Sequence, residues 1–523
     1  MKKLLAIVLA LVMVLACVPA MAEEEAKIIT VGKAFDYNGK TFLEGQSIEN
    51  NYYADVMYEV AGVKFEYAWI LADDEQKISL AVASGEMPDV MIVGLTHYNM
   101  LLESNMLADL TDAFENNANE LLLMCRENYQ EAFAAASVGG RLMAIPTTMV
   151  KKQHNLLWVR QDWLNNLGLE VPKTLEDLVE VATAFRDEDP DQNGEADTIG
   201  ITLNKNIFTN GTGSDHTANS IANYFGAYPE MWYQQDDGSV MYGSITPEFR
   251  EALEFIAGMY ADGIIDPQFA TDDPKELCVS GKCGLAFGPW CAGFFTNSWA
   301  YDGADWIPVT CPLDENGLYK STNPTPATSY MVVSKNCEYL DEFILALGAE
   351  YDFHRMFTDN AEWLAKMTEY QNGGVSWTIM PLAIQLEHED IVAQRGIDMK
   401  QMIENDGDRT GVSAQNQAFY DAWLKHLEDP SYLVGQTRYR GMYLACNVAN
   451  GPENTFKNPC FWDMTATMKE VWTTLTSMED EIVMKVIMGE ATIEEYDAFV
   501  EQWYALGGEQ IIEEVQAYVD ARG

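Results

Sequence analysis

Val63-Lys-Phe-Glu-Tyr-Ala-Trp69, Asp73 to Ser84 and Asp89-Val-Met-Ile-Val93 form the stretch whose reading decides the fold. The first segment alternates apolar and polar residues as a half-buried strand does. The second has the spacing of an amphipathic helix, and the third is a short apolar run suited to a buried strand. Upstream, Lys27 to Gly32 reads as a further strand, so the region is a β-α-β unit. Downstream of Ile145-Pro146 the pattern returns. The apolar stretch Asn155-Leu-Leu-Trp-Val159 leads into a helix over Asp162 to Leu167, closed by Gly168 and followed by Pro172. Thr174 then caps a helix over Leu175 to Phe185, with Glu176 and Asp177 in its first turn, where the helix dipole favours negative charge. Strands alternating with helices predict α/β architecture with largely parallel sheets. From Met464 to Arg522 the pattern is helical alone, and breaks at Gly489 and Gly507-Gly508 divide it into three helices.

The composition bounds the partners. Among 523 residues, 81 acidic against 32 basic side chains leave a formal net charge of −49, which excludes nucleic-acid binding as the protein's main role. The chain is no disordered acidic polymer, since 48% of its residues are hydrophobic and 13 are Trp. Its length allows two to four domains. So much negative charge repels anionic ligands and lipid headgroups and favours neutral or cationic ligands, unless a local basic patch overrides the field.

Lys2 and Lys3 precede an apolar run from Leu4 to Ala16, and Ala20-Met21-Ala22 stands before Glu23-Glu24-Glu25. This is a secretory signal over residues 1–22, too short to span a membrane. A second reading competes: Val14-Leu15-Ala16-Cys17 resembles a lipobox, in which Cys17 carries the lipid. Cleavage after Ala22 is preferred because Val18-Pro19-Ala20-Met21 is not the usual small polar tether. Either route places the mature chain outside the cytoplasm, secreted or at the cell surface. Of nine cysteines, the eight beyond Cys17 include no Cys-x-x-Cys pair, and the plainer reading is of buried thiols acting as small hydrophobes.

The sharpest local motif is Asp189-Pro-Asp191-Gln-Asn193-Gly194-Glu195-Ala-Asp197. Calcium takes six to eight oxygens, and an EF-hand-type loop offers side chains at positions 1, 3, 5 and 9, a carbonyl at 7 and Gly at 6. Asp189, Asp191, Asn193, Gly194, Glu195 (through its carbonyl) and Asp197 fill those positions, whereas position 12 is Gly200 instead of Glu. The alternative is a solvated Asp/Gly turn after a helix. Aromatic residues are the second signal. Trp69, Tyr98, Trp158, Trp290 and Trp462 are spread along the chain, several just past predicted strands, where open α/β sheets place ligands. Core packing is the competing reading for each. Phe287-Gly-Pro-Trp290 is the strongest case, because the Gly-Pro turn puts the indole at a loop.

Ser84-Gly-Glu-Met-Pro-Asp89, Leu107-Ala-Asp-Leu-Thr111, Gly140-Arg-Leu-Met-Ala-Ile-Pro146 and Trp158-Val-Arg160-Gln-Asp-Trp163 occur in an order that resembles one family. So do Gly263-Ile-Ile-Asp-Pro267 and Gly489 to Val500, followed by Trp503. That family is the extracellular solute-binding proteins of family 1, receptors of ABC sugar importers, in the LplA/LipO-like branch. The resemblance implies a two-lobed periplasmic-binding-protein-like fold whose chain crosses between lobes several times. The first lobe would be 27–146 plus 327–445 and the second 149–324 with the calcium loop. Residues 446–523 would form a helical segment packed on the second lobe. Crossovers are expected near Thr147-Thr148, within Pro324 to Ser329, and before Phe461. The implied function is capture of an oligosaccharide in the interlobe cleft by a monomer, and delivery to permease subunits, with no catalysis. The loop at Asp189 resembles the calcium loop of alginate-binding relatives. Similarity to the maltodextrin-binding protein puts Trp158, Trp290 and Trp462 at the sugar, with Arg160 as a polar contact; Trp69 and Tyr98 are added from their places at strand ends.

Two rival classes are a secreted polysaccharide-active enzyme and a surface adhesin. With 81 acidic residues a pair of carboxylates is certain by chance, so it discriminates nothing. The six His include no His-Glu-x-x-His, and no Gly-x-Ser-x-Gly occurs.

Overall fold

The computed structural model describes residues 27–521 apart from 39, 152–154, 210–214 and 294–303. The signal segment and Cys17 lie outside the described residues. The first lobe is built on a five-stranded sheet in the order Val63–Leu71, Lys27–Ala34, Val90–Val93, Tyr330–Val333, Ala144–Pro146. Its first three strands are parallel, and Tyr330–Val333 runs against both of its neighbours. The helix Glu75–Ser84 makes the β-α-β crossover; it buries Ile78, Ala81 and Val82 and stops at Gly85, whose φ of 73° is open to glycine at little cost. Trp69 lies flat across Gly32, where an added Cβ would come within 2.2 Å of the indole, so only glycine admits that ring.

The second lobe departs from the expected parallel arrangement. Its central strand Asn155–Arg160 is flanked by Leu285–Pro289 and Trp306–Val309, both antiparallel to it. A second antiparallel group joins Pro459–Phe461, Trp232–Gln234 and Val240–Tyr242. Residues 155–159 are buried throughout. A strand covered on both faces reads as the same apolar run whichever way its neighbours point, and parallel sheets are its commonest setting. The helices Met468–Ile487, Ile493–Trp503 and Glu509–Asp520 pack into this lobe's core through Leu475, Val483, Tyr496, Trp503, Ile511 and Val515.

The fully buried first-lobe core extends only to Leu386 along the part of the chain expected to belong to it, 327–445, although Ala414 and Ala418 pack against its edge. Ile391, Val392, Met399, Met402 and Phe419 instead fill a third core with Leu156, Trp158 and Ala286 of the second-lobe sheet. Residues 391–449 thus pack on the second-lobe sheet while also touching the first lobe through Ala414 and Ala418. The three crossing segments are laced together. Thr147 N–H donates to the Ser329 carbonyl at 2.9 Å, and Ser329 N–H donates back to Thr147 Oγ1 at 2.9 Å. Thr148 does the same with the third segment, its N–H donating to the Gln385 carbonyl at 2.9 Å and its hydroxyl accepting from Glu387 N–H at 2.6 Å. Short paired segments of this kind are what a hinge between packed bodies requires.

Candidate ligand cleft

Two cavities open at the carboxyl end of the first-lobe strand Val90–Val93. The larger, about 410 Å³, is bounded on one side by Leu95 and Thr96 of the first lobe. The other side comes from the second lobe: Trp232, Tyr242, Trp462 and Trp472 make an aromatic wall, with Met464 and Met468 beside it. The hairpin Trp232–Gln234/Val240–Tyr242 sets the first two rings, its turn closed at Gly238 with a φ of 90°. Trp232 and Tyr242 are buried, whereas Trp462 and Trp472 are half-buried, so the latter two have ring surface to offer a ligand. Carboxylates supply the polar groups. Glu479 is buried and accepts a hydrogen bond from the Tyr242 hydroxyl at 3.0 Å. Burial, with the Glu230 carboxylate adding to it, pushes Glu479 up to about 8. Next in sequence to the lining residue Met468, Lys469 faces Glu103 of the first lobe at 3.8 Å, both exposed.

The smaller cavity, about 240 Å³, lies within the first lobe and is lined by Gly32, Lys33, Asp74, Thr378 and Leu382, among others. Lys33 is buried, donates to the Met380 carbonyl at 2.7 Å and faces Glu350 and Asp74. Burial lowers its ammonium to about 8 against the pull of those two acids.

The six side chains expected at the ligand are not brought together. Trp462 lines the larger cavity. Trp69 does not line the smaller one but packs on Gly32 and donates its indole N–H to Asp74 at 3.0 Å, both of which do. Tyr98 sits one layer behind, fully buried and stacked on Tyr330 with centroids 4.3 Å apart. Trp158 is a core side chain with no exposed surface, its N–H donating to the Gly288 carbonyl at 3.2 Å. Gly288 and Pro289 do not form the expected turn but end the strand Leu285–Pro289, paired with Leu156 and Asn155, and Trp290 just past them is 7% exposed beneath the Arg395 guanidinium at 4.9 Å. The third core supplied by residues 391–449 covers the indole. Arg160 is held by Asp162, its Nε donating at 2.7 Å, and lies over the Trp163 ring. Its charge is matched within three residues and is no free counter-charge for a ligand.

Sequence reasoning missed Trp232, Tyr242, Trp472, Glu230 and Glu479. The run Trp232-Tyr-Gln-Gln-Asp-Asp-Gly238 carries a hairpin signal that would have placed the first of these at a sheet. Trp472 lies on a helix whose spacing speaks only of packing. The eight cysteines beyond Cys17 are all unpaired, six of them buried; burial pushes the Cys291 and Cys446 thiols up to about 12, so they stay protonated.

The loop at Asp189 folds back on itself. The Asp189 carboxylate accepts from the Asn193 and Gly194 N–H groups at 3.1 Å each, and the Asn193 amide donates to Asp191 at 2.9 Å and to Asp197 at 3.2 Å. Glu195, exposed, donates its backbone N–H to Asn193 Oδ1. Gly194 has a φ of 84°. Burial, with Asp197 and Asp189 adding to it, raises the Asp191 carboxyl. Hard oxygen donors crowded enough to repel one another fit a divalent cation. Gly200 cannot be replaced by the missing Glu, because a Cβ there would lie 2.5 Å from the Ile264 carbonyl. Among the described residues no three His, Cys, Asp or Glu side chains are already gathered around a metal position.

The family model of the bacterial extracellular solute-binding proteins matches residues 41–349. The chain belongs to this family. Among its relatives, the solute-binding protein is 22% identical over 479 residues to the polygalacturonan/rhamnogalacturonan-binding protein YtcQ of Bacillus subtilis, covering 88% of this chain and 86% of that one. It is 26% identical over 305 residues to the fructooligosaccharide ABC transporter substrate-binding protein FusA of Streptococcus pneumoniae, covering 54% and 55%. Solved structures agree in fold. FusA in complex with kestose superposes with a TM-score of 0.63 at 16% identity, over 95% of this chain and 99% of that one. The alginate-binding protein AlgQ2 without calcium ion gives 0.62 at 15% identity, over 95% and 98%. No helix among the described residues of the solute-binding protein is long and apolar enough to cross a membrane.

Proposed function

We propose that the chain is the extracytoplasmic receptor of an ABC importer, capturing an oligosaccharide between its lobes and delivering it to membrane permease subunits. One observation carries this reading: the cavity at Trp462 has one wall from each lobe and offers half-buried indole faces beside hydrogen-bonding carboxyl groups. Aromatic faces suit the C–H faces of sugar rings, and carboxyl groups suit hydroxyls. The names of YtcQ and FusA, both sugar binders, support it. The lobes are 27–146 with 327–386, and 149–324 with the helices of 446–523, residues 391–445 riding on the second. The protein works as a monomer, is exported by residues 1–22 or anchored through Cys17, and makes or breaks no bond in its ligand. Calorimetry against a panel of oligosaccharides, run beside a hydrolysis assay, tests this. Saturable binding with the sugar recovered intact is expected; shortened product would make the protein an enzyme.

Calcium held at Asp189, Asp191, Asn193, Asp197 and the Glu195 carbonyl is part of the same proposal, as a clip within the second lobe. Bound there, the ion would neutralise the crowded carboxylates and fix the loop behind the helix Leu175–Asp187. AlgQ2 and a FusA EF-hand mutant are among the structures of like fold, which supports it. Metal-stripped protein should melt at a lower temperature and recover on adding calcium, since a ligand at a hundredfold its Kd adds about 2.7 kcal/mol. Asp189→Ala should abolish the response and leave sugar binding intact. A melting curve indifferent to calcium would remove the clip.

A further inference from the structure

The larger cavity has a charge as well as a shape. Glu230, Asp463, Glu479 and Asp480 line it, and no Lys, Arg or His is among its lining residues. Glu479 and Glu230 stand at the buried and half-buried floor, and Asp463 and Asp480 are exposed at the rim. Trp232, in the same wall, is 4% exposed, and its indole N–H meets no acceptor among the described residues.

We infer that this cavity selects sugars without carboxylates, taking neutral or amino-bearing units and rejecting uronates. The inference rests on the reading of the cavity as the sugar site and goes further by fixing the ligand's charge class. An ionised carboxylate accepts from vicinal hydroxyls but repels a second carboxylate, and like charges facing each other in a partly desolvated site weaken binding steeply. Protonated at neutral pH, Glu479 can also donate to a sugar oxygen. Among the described residues no Lys, Arg or His lines the cavity to reverse the sign. Lys469, which does not line the cavity, faces Glu103, Arg160 is held by Asp162, and Lys33 in the neighbouring cavity is already matched by Glu350 and Asp74. The prediction runs against the polygalacturonan/rhamnogalacturonan specificity in the name of YtcQ, so similarity and local charge make opposite forecasts.

The test is calorimetry with trigalacturonate and its carboxyl-reduced counterpart, in which each carboxylate is replaced by a neutral hydroxymethyl group, alongside neutral fructo-, gluco- and xylo-oligosaccharides and a chitosan trimer. Binding of one or more neutral or amino members, with trigalacturonate weaker than the best of them by about a hundredfold, is the expected result. The rim variant Asp463→Asn with Asp480→Asn should narrow that gap by about tenfold, and raised salt should narrow it in the wild type. Trigalacturonate binding as tightly as the best neutral sugar would overturn the inference while leaving the receptor reading intact. A gap unchanged in the rim variant and at high salt would also overturn it, since the discrimination would then be steric. Absence of any binding would remove the receptor reading, and this inference with it.

Discussion

Trp158→Ala is expected to lower the melting temperature by on the order of 10 °C while leaving the affinity of the folded protein nearly unchanged. Trp158 is fully buried between the second-lobe sheet and the helices of residues 391–449, and its N–H is satisfied by the Gly288 carbonyl. A buried Trp truncated to Ala leaves a cavity that costs about 3–5 kcal/mol. For a cooperative unit of roughly 150–250 residues each kcal/mol shifts the midpoint by about 2–4 °C. The central strand carrying Trp158 is bonded on both sides, so the loss falls on the whole lobe. A normal melting curve together with lost sugar binding would return this indole to the cleft and contradict its placement in the core.

Trp462→Ala should do the reverse. Its ring is half-buried in the interlobe cavity, directly after the strand Pro459–Phe461, so truncation removes ligand contact more than core packing. Aromatic anchors in partly desolvated sites cost about 2 kcal/mol or more on truncation, roughly thirtyfold in Kd. Circular dichroism and the melting temperature should stay near the wild type. A Kd within threefold of wild type for the tightest-binding oligosaccharide would place the ligand elsewhere.

The contrast between these two indoles marks what could be read in the chain. Alternation over Val63–Trp69 and helical spacing over Asp73–Ser84 are local signals, and the structure has the strand Val63–Leu71 and the helix Glu75–Ser84 there. The direction of neighbouring strands is not local. Residues 155–159 are apolar because both faces are covered, and that holds beside parallel or antiparallel partners alike. Nor does a sequence say which aromatic is covered. Trp290 stands just past the end of its strand as expected and Trp158 lies inside one, but the cover of both comes from Ile391, Met399 and Phe419, more than a hundred residues away along the chain. Trp472 shows the opposite failure, a helical position that reads as core yet borders the cavity, because the neighbouring hairpin at Trp232 leaves its face partly open.

The central claim is that the ligand is captured between two lobes joined at Thr147-Thr148, Ser329 and residues 385–387. Small-angle scattering of the full mature chain, with and without a saturating amount of the tightest-binding oligosaccharide, tests it most directly. Closure about those laced segments predicts a smaller radius of gyration with ligand, and Trp462→Ala should need a proportionally higher sugar concentration to reach it. An unchanged radius at saturation, confirmed by calorimetry on the same sample, would contradict capture by closure.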